Sequence, residues 1–406
     1  MHNTNTARTI TALNGLRFFA VFHIFLHHVW STRYETGLTE GQFAGVYAQL
    51  DAMPDWLVNV FAHGYISTGF FFILSGFILA YLYWAPDGQL ATSRRQFWIA
   101  RFARVYPAHI IVLIPTMILI APSLFLDPNA PPLTVVAASA IATATLTQAW
   151  FPPLVPVFSW PTWALSAVVF MYLIMPWLMR VLARLNRKQM ISWLIVLPAI
   201  SLVPTFVFLI FFPDGAAESR DWKIFLGSTP LFWAPHFVAG MLLSRAFSLS
   251  RFAPAQPNAG SPIAFGDLAM LGLIAIAMTD PQDMAWRHIL RHGTLMPLFL
   301  IVIYDFARGR GVFARLLSLP GMNALGELSF SIFIWQNFLL ICAFAMVFIN
   351  AATAPLALWV AIVGLLVISA ISTHLIEKPL ARRIRERFNK NSEPTVSTTA
   401  LAPKGG

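Results

Sequence analysis

Long apolar runs follow one another along almost the whole chain, separated by short polar or basic links. Eleven runs can be bounded, at 13–32, 63–84, 106–126, 134–150, 160–183, 189–212, 226–247, 264–280, 289–307, 325–349 and 356–376. Their lengths suit α-helices crossing a hydrocarbon layer of about 30 Å. Barrel strands would be about 10 residues long with strict alternation of polarity, and that pattern is missing. The pattern therefore predicts an all-α, polytopic membrane helical bundle. The first run is too long for a signal peptide and has no small-residue cleavage site after it, so it is expected to stay as the first span.

Charge reduces eleven runs to ten crossings. Lys and Arg collect in short cytoplasmic links. If the segment 106–150 makes one net crossing, 22 of the 27 Lys and Arg fall on the cytoplasmic side, and only Arg33, Arg220, Lys223, Arg287 and Arg291 lie outside. Pro107, Pro115 and Pro122 place the expected broken or re-entrant element in the first half of that segment. The expectation is about ten transmembrane helices with both termini cytoplasmic. Residues 1–387 read as one transmembrane domain, and the polar, Pro/Ser/Thr-rich residues 388–406 as a disordered cytoplasmic tail.

Composition agrees and excludes several function classes. The chain is 58% hydrophobic and 11% charged, against about 25% charged in soluble domains. A net charge of +10 would suit nucleic acid, but the basic residues are dispersed between spans. The single cysteine, Cys342, sits in an apolar run and rules out an internal disulfide. Walker, dinucleotide and zinc-helix motifs are absent.

Several spans carry groups that hydrocarbon solvates poorly. The first, LNGLRFFAVFHIFLHHVWST, holds Arg17 and the adjacent His27 and His28. The eleven-residue step from Arg17 to His28 is within about 20° of three turns, so both share one face about 16 Å apart. Ionisable groups inside a span are functional candidates, although snorkelling anchors account equally well for either one alone. In RRQFWIARFARVYP, Arg101 and Arg104 are i,i+3 on a helix expected at the inner surface, suited to phosphate or to anionic lipid. Ser75, between Gly69 and Gly76, reads first as a packing residue. Ser166 and Tyr172 follow Trp163 near an expected outer surface and are possible supporting groups. His23 and His27 have a metal-capable i,i+4 spacing, but no carboxylate or cysteine completes a set, so no metal is expected. The outer link 33–62 mixes Tyr34, Glu35, Glu40, Tyr47, Asp51, Asp55 and Trp56, which suits a sugar or simply a solvated connector.

In this order the pieces resemble the acyltransferase family 3 membrane proteins, O-acyltransferases of bacterial surface glycans and secreted metabolites. The resemblance rests on LNGLR with a histidine eleven residues after its arginine, GFFFILSGFILA at 69–80, RFARVYP at 101–107, TWALS at 162–166 and IEKP at 376–379. It implies a plasma (inner) membrane enzyme of about ten helices. Acyl-CoA, first of all acetyl-CoA, would be the donor substrate, with no permanently bound cofactor. A hydroxyl of a carbohydrate or natural product would be the acceptor. By this resemblance Arg101 and Arg104 hold CoA phosphates, Arg17 steadies the donor, and His28 is the general base or an acyl relay. The chain departs from the family pattern at Val168, His236 and Gln336, where the family commonly has glutamate, glutamate and histidine. His236 would restore a titratable group elsewhere in the bundle. Two rivals stand beside this reading. One is a transporter of an anionic small molecule, and the other is a catalytically reduced relative acting as a partner.

Overall fold

The computed structural model describes residues 10–35, 43–126, 128–212, 220–251, 264–280 and 284–390. The chain forms α1 (Thr11–Glu35), α2 (Ala44–Asp51), α3 (Asp55–Ala62), α4 (Ile66–Tyr83), α5 (Arg94–Leu126) and α6 (Leu133–Ala144). It continues with α7 (Trp163–Leu182), α8 (Arg187–Phe211), α9 (Arg220–Ser228), α10 (Pro230–Arg251), α11 (Phe265–Met278) and α12 (Met284–Arg291). The last third holds α13 (Met296–Ala307), α14 (Val312–Leu317), α15 (Pro320–Glu327), α16 (Ser329–Ile349), α17 (Ala354–Ile371) and α18 (Lys378–Lys390). One isolated bridge pairs Trp84 with Leu90.

Among the described residues, seven helical stretches are long and apolar enough to cross a membrane. α1 and α10, of 25 and 22 residues, have crossing length as well, about 37 and 33 Å. The protein is a polytopic all-α membrane protein.

The expected break falls in a different place. α5 runs through all three of its prolines without interruption for 33 residues, about 50 Å. Each proline removes one backbone hydrogen bond, and spanning helices absorb such losses. The shortfall comes after Pro128, Pro131 and Pro132, where α6 reaches only 12 residues, about 18 Å. The segment thus holds one helix of crossing length, with its short element in the second half. Arg101 and Arg104 sit in the opening turns of α5 rather than on a separate surface helix. The run 289–307 is also split. Gly293, at φ +78°, turns the chain between α12 and α13, a backbone state that side chains resist.

Lipid tails are as apolar as Leu, so these helices associate by close packing. Gly76 of α4 and Gly240 of α10 permit the tightest approach. A Cβ on Gly240 would collide with the Ile73 carbonyl oxygen and lie 2.8 Å from the Phe77 nitrogen, and one on Gly76 would collide with the Phe237 carbonyl. α8 turns Ile195, Val203, Phe206 and Ile210 outward as a lipid-facing surface. α1 does the opposite. It supplies Leu13, Leu16 and Ala20 to one apolar cluster, and Phe18, Val21 and Phe25 to the other. The helix with the most intramembrane ionisable groups therefore lies at the centre of the bundle. Phe388 to Lys390 close α18, and the rest of the expected tail lies outside the described residues, as do Arg8 and Glu40.

Candidate active site

Two clusters of polar side chains, called basins below, lie along α1, one at each end of the Arg17–His28 stripe. At the Arg17 end three guanidiniums gather. Arg17 and Arg101 and Arg104 all lie within electrostatic reach of the Tyr172 hydroxyl. Arg17 donates from Nη1 to Asn14 Oδ1 at 3.3 Å, and Asn14 is held in turn by Asn323 at 2.9 Å. Arg101 donates from Nη2 to Tyr83 Oη at 2.8 Å, and its Cζ lies 5.1 Å from the Tyr83 ring and 5.9 Å from that of Tyr172. Arg104 lies over Phe330 at 4.9 Å and pairs with Glu377 at 3.2 Å.

Glu377 is the carboxylate of IEKP, and it is buried. It accepts hydrogen bonds from Ser331 and, at 3.0 Å, from Ser372. Ser372 and Glu377 begin and end a π-helical turn. That wider turn brings residues five apart together. The other buried carboxylates have structural work. Asp267 accepts the backbone N–H groups of Val312 and Phe313 at 2.9 and 3.0 Å, and Asp305 accepts that of Gly266 at 2.8 Å. Three guanidiniums with one carboxylate leave a net positive basin that suits phosphates.

At the other end, His28 faces a cavity of about 160 Å³ between α1, α4, α7, α12 and α16. No hydrogen bond holds its ring among the described residues. His27 lines the same cavity and is anchored, its Nδ1–H donating to the Ala62 carbonyl at 2.9 Å. That bond leaves Nε2 as the ring's free lone pair. Ser31, Thr68, Tyr65 and Trp163 add to the wall, and Arg287 and Arg291 enter from α12. Between the basins, Val21 and Phe25 are fully buried.

The remaining candidates divide. Tyr172 belongs to the arginine basin. Ser166 is buried one turn beyond Trp163, with no partner for its Oγ among the described residues. Ser75 is half-buried and lines no part of the His28 cavity, and Gly76 beside it does the packing. His236 sits apart, with Nδ1 3.3 Å from Ser201 Oγ and its ring 5.3 Å from that of Trp233. It is not among the residues lining the His28 cavity, and Val168 is packed in an apolar cluster. Gln336 donates to the Phe333 carbonyl at 3.0 Å. His23 and His63 are spent on carbonyls of α3, at 2.6 Å to Val60 and 3.0 Å to Asn59.

The sequence reading missed four residues of these basins. Glu377 was noticed only as part of a motif. His27 was weighed only as a metal ligand. Arg287 and Arg291 carried a signal, since both were exceptions to the charge rule.

Comparison with known proteins identifies the family. The Acyltransferase domain model of acyltransferase family 3 matches residues 10–374. Acyltransferase MdmB of Streptomyces mycarofaciens is 27% identical over 183 residues, which is 45% of this chain and 42% of that protein. Exopolysaccharide production protein ExoZ of Rhizobium meliloti (strain 1021) is 28% identical over 152 residues, 37% of this chain and 44% of that protein. The matches thus span less than half the length of either relative. No solved structure matches. With most of its length inside the family's domain, the chain belongs to acyltransferase family 3.

Proposed function

We propose that the enzyme moves an acyl group, first of all acetyl, from cytoplasmic acyl-CoA to a hydroxyl of a carbohydrate or related acceptor on the outer side of the plasma membrane. The supporting observation is the pair of basins on one face of α1, arginine-rich at one end and histidine-lined at the other. The charge rule orients them, with the Arg17 end inside and the His28 end outside. In this reading the protein has about ten spans in one domain, with both termini cytoplasmic.

CoA phosphates bind Arg101 and Arg104 as charge-assisted partners, with Arg17 next along the path. The thin pantetheine arm then has to part the buried layer at Val21 to bring the thioester to His28. His28 takes the proton of the acceptor hydroxyl, whose oxygen attacks the thioester carbonyl. The C–S bond breaks, and the imidazolium returns the proton to the departing thiolate. The family match favours this transfer over transport of an anion. The test is incubation of membranes with labelled acetyl-CoA. Wild-type membranes should pass label to an acceptor, and those with His28→Ala, at equal protein level, should not. Label transfer undiminished in that variant removes His28 from the mechanism.

A further inference from the structure

The His28 cavity carries more positive charge than moving an acyl group to a hydroxyl requires. Arg287 and Arg291 stand four residues apart on α12 and share one helix face. Both line the cavity with His28, and no Asp or Glu is among its lining residues within the described part of the chain. Their guanidiniums bracket one tyrosine. The Arg287 Cζ is 5.6 Å from the Tyr65 ring and that of Arg291 is 6.0 Å from it, while Arg287 also lies 5.2 Å over Trp30. These stacks fix the two forks in place beside the cavity.

Tyr65 supplies an independent observation. It is 4% exposed. Its hydroxyl is enclosed and has no hydrogen-bond partner among the described residues, and its side chain forms part of this same cavity's wall. Buried hydroxyls are usually satisfied, so this one keeps a donor to offer at the cavity wall. The cavity's 160 Å³ corresponds to about five waters at ~30 Å³ each, room for one sugar-sized unit. The two arginines are also basic residues on the side that the charge rule leaves poor in them.

We propose that this cavity is an acceptor site selective for an acid. The acceptor's carboxylate or phosphate sits between Arg287 and Arg291, Tyr65 Oη donates to it, and a hydroxyl of the same unit is thereby presented to His28. The role of the hydroxyl rests on the acyl-transfer reading, whereas the anion site does not.

The test uses the full-length protein in nanodiscs with CoA present, so that the inner arginines are occupied. Tryptophan fluorescence from Trp30, Trp160 and Trp163 is titrated with glucuronate, glucose 1-phosphate and glucose. At least one acid should bind tenfold or more tighter than glucose, and the tighter of the two names carboxylate or phosphate as the anion. Arg287→Gln with Arg291→Gln should bring both acids to the level of glucose. Replacing both by Lys, which keeps the charge and is the safer change for folding, should keep part of the preference and make it fall with added salt. Tyr65→Phe should weaken the preferred acid several-fold and leave glucose unchanged. Failure to discriminate, including no binding by any of the three sugars, overturns the proposal. So does a preference that survives the double glutamine change. Loss of His28-dependent label transfer with the anion preference intact would strike the transferase reading alone.

Discussion

Replacing Glu377 by Gln tests how the donor basin is held. The side chain of Glu377 is 1% exposed and that of Arg104 is 32% exposed, with 3.2 Å between them. At an effective dielectric constant of about 20 the bare attraction is about 5 kcal/mol, most of it offset by desolvation. Breaking a fully buried pair costs about 3–5 kcal/mol and an exposed one at most about 1. Arg104 stays partly in water, so about 2 kcal/mol is expected to go into re-seating it. A second effect opposes this. Removing the carboxylate leaves the basin one charge more positive, which draws phosphate. A phosphate on the wet side of Arg104, about 7 Å from Glu377, feels about 0.6 kcal/mol at the dielectric constant of water. Mispositioning therefore wins by about 1.4 kcal/mol, a tenfold loss of CoA affinity. Calorimetric titration of the purified variant with CoA reads this directly. The KM for acyl-CoA should rise by a similar factor, with kcat changed much less. Unaltered or tighter CoA binding with a collapsed kcat would refute the argument and move Glu377 into the chemistry.

Four further outcomes follow from the geometry. His28→Ala should lower kcat by about 10²–10⁴ and leave thermal unfolding unchanged, since no hydrogen bond holds that ring among the described residues. His27→Ala strands the Ala62 carbonyl and should cost about 1–3 kcal/mol of stability, read in an unfolding titration, while retaining turnover. The reverse pattern would identify His27 as the base. Arg101→Lys loses both the flat stack on Tyr83 and Tyr172 and the fork that meets phosphate. Its KM for acyl-CoA should rise about tenfold (about 1.4 kcal/mol), and an unchanged KM would take Arg101 out of donor binding. Gly240→Ala must push α4 and α10 apart and should destabilise by at least about 1–3 kcal/mol, measured as a lowered melting temperature on size-exclusion profiling. A native melting profile would contradict the close approach.

Much of this architecture could be read in the residues. Period and run length announce α1, α4, α7, α8, α16 and α17, because hydrocarbon leaves few alternatives to a helix. The Arg17–His28 stripe follows from helical geometry alone. What escaped depends on contacts distant in sequence. Arg104 and Glu377 are 273 positions apart, and the π-turn that aims Glu377 at Ser372 has no local signature. Proline was misleading in α5, where neighbouring turns tolerate it, and informative just after, where three prolines end α5 and begin α6. His236 looked like a compensating group because a chain shows identity without direction, and its ring faces Ser201 instead. Arg287 and Arg291 stand out in the sequence as exceptions to the charge rule, and only the fold brings both to the wall of one cavity.

The apolar layer at Val21 and Phe25 also works as insulation. Were the acceptor's proton shed on the far side while the thiolate drew another from the near side, every turnover would drive a charge across the bilayer, worth about 2.3 kcal/mol per 100 mV. A single imidazole serving as both taker and giver avoids that toll, because the proton travels back with its own thiol. Turnover in sealed vesicles should then be indifferent to an imposed voltage, and a rate that climbs or falls with potential would expose a leak through the layer.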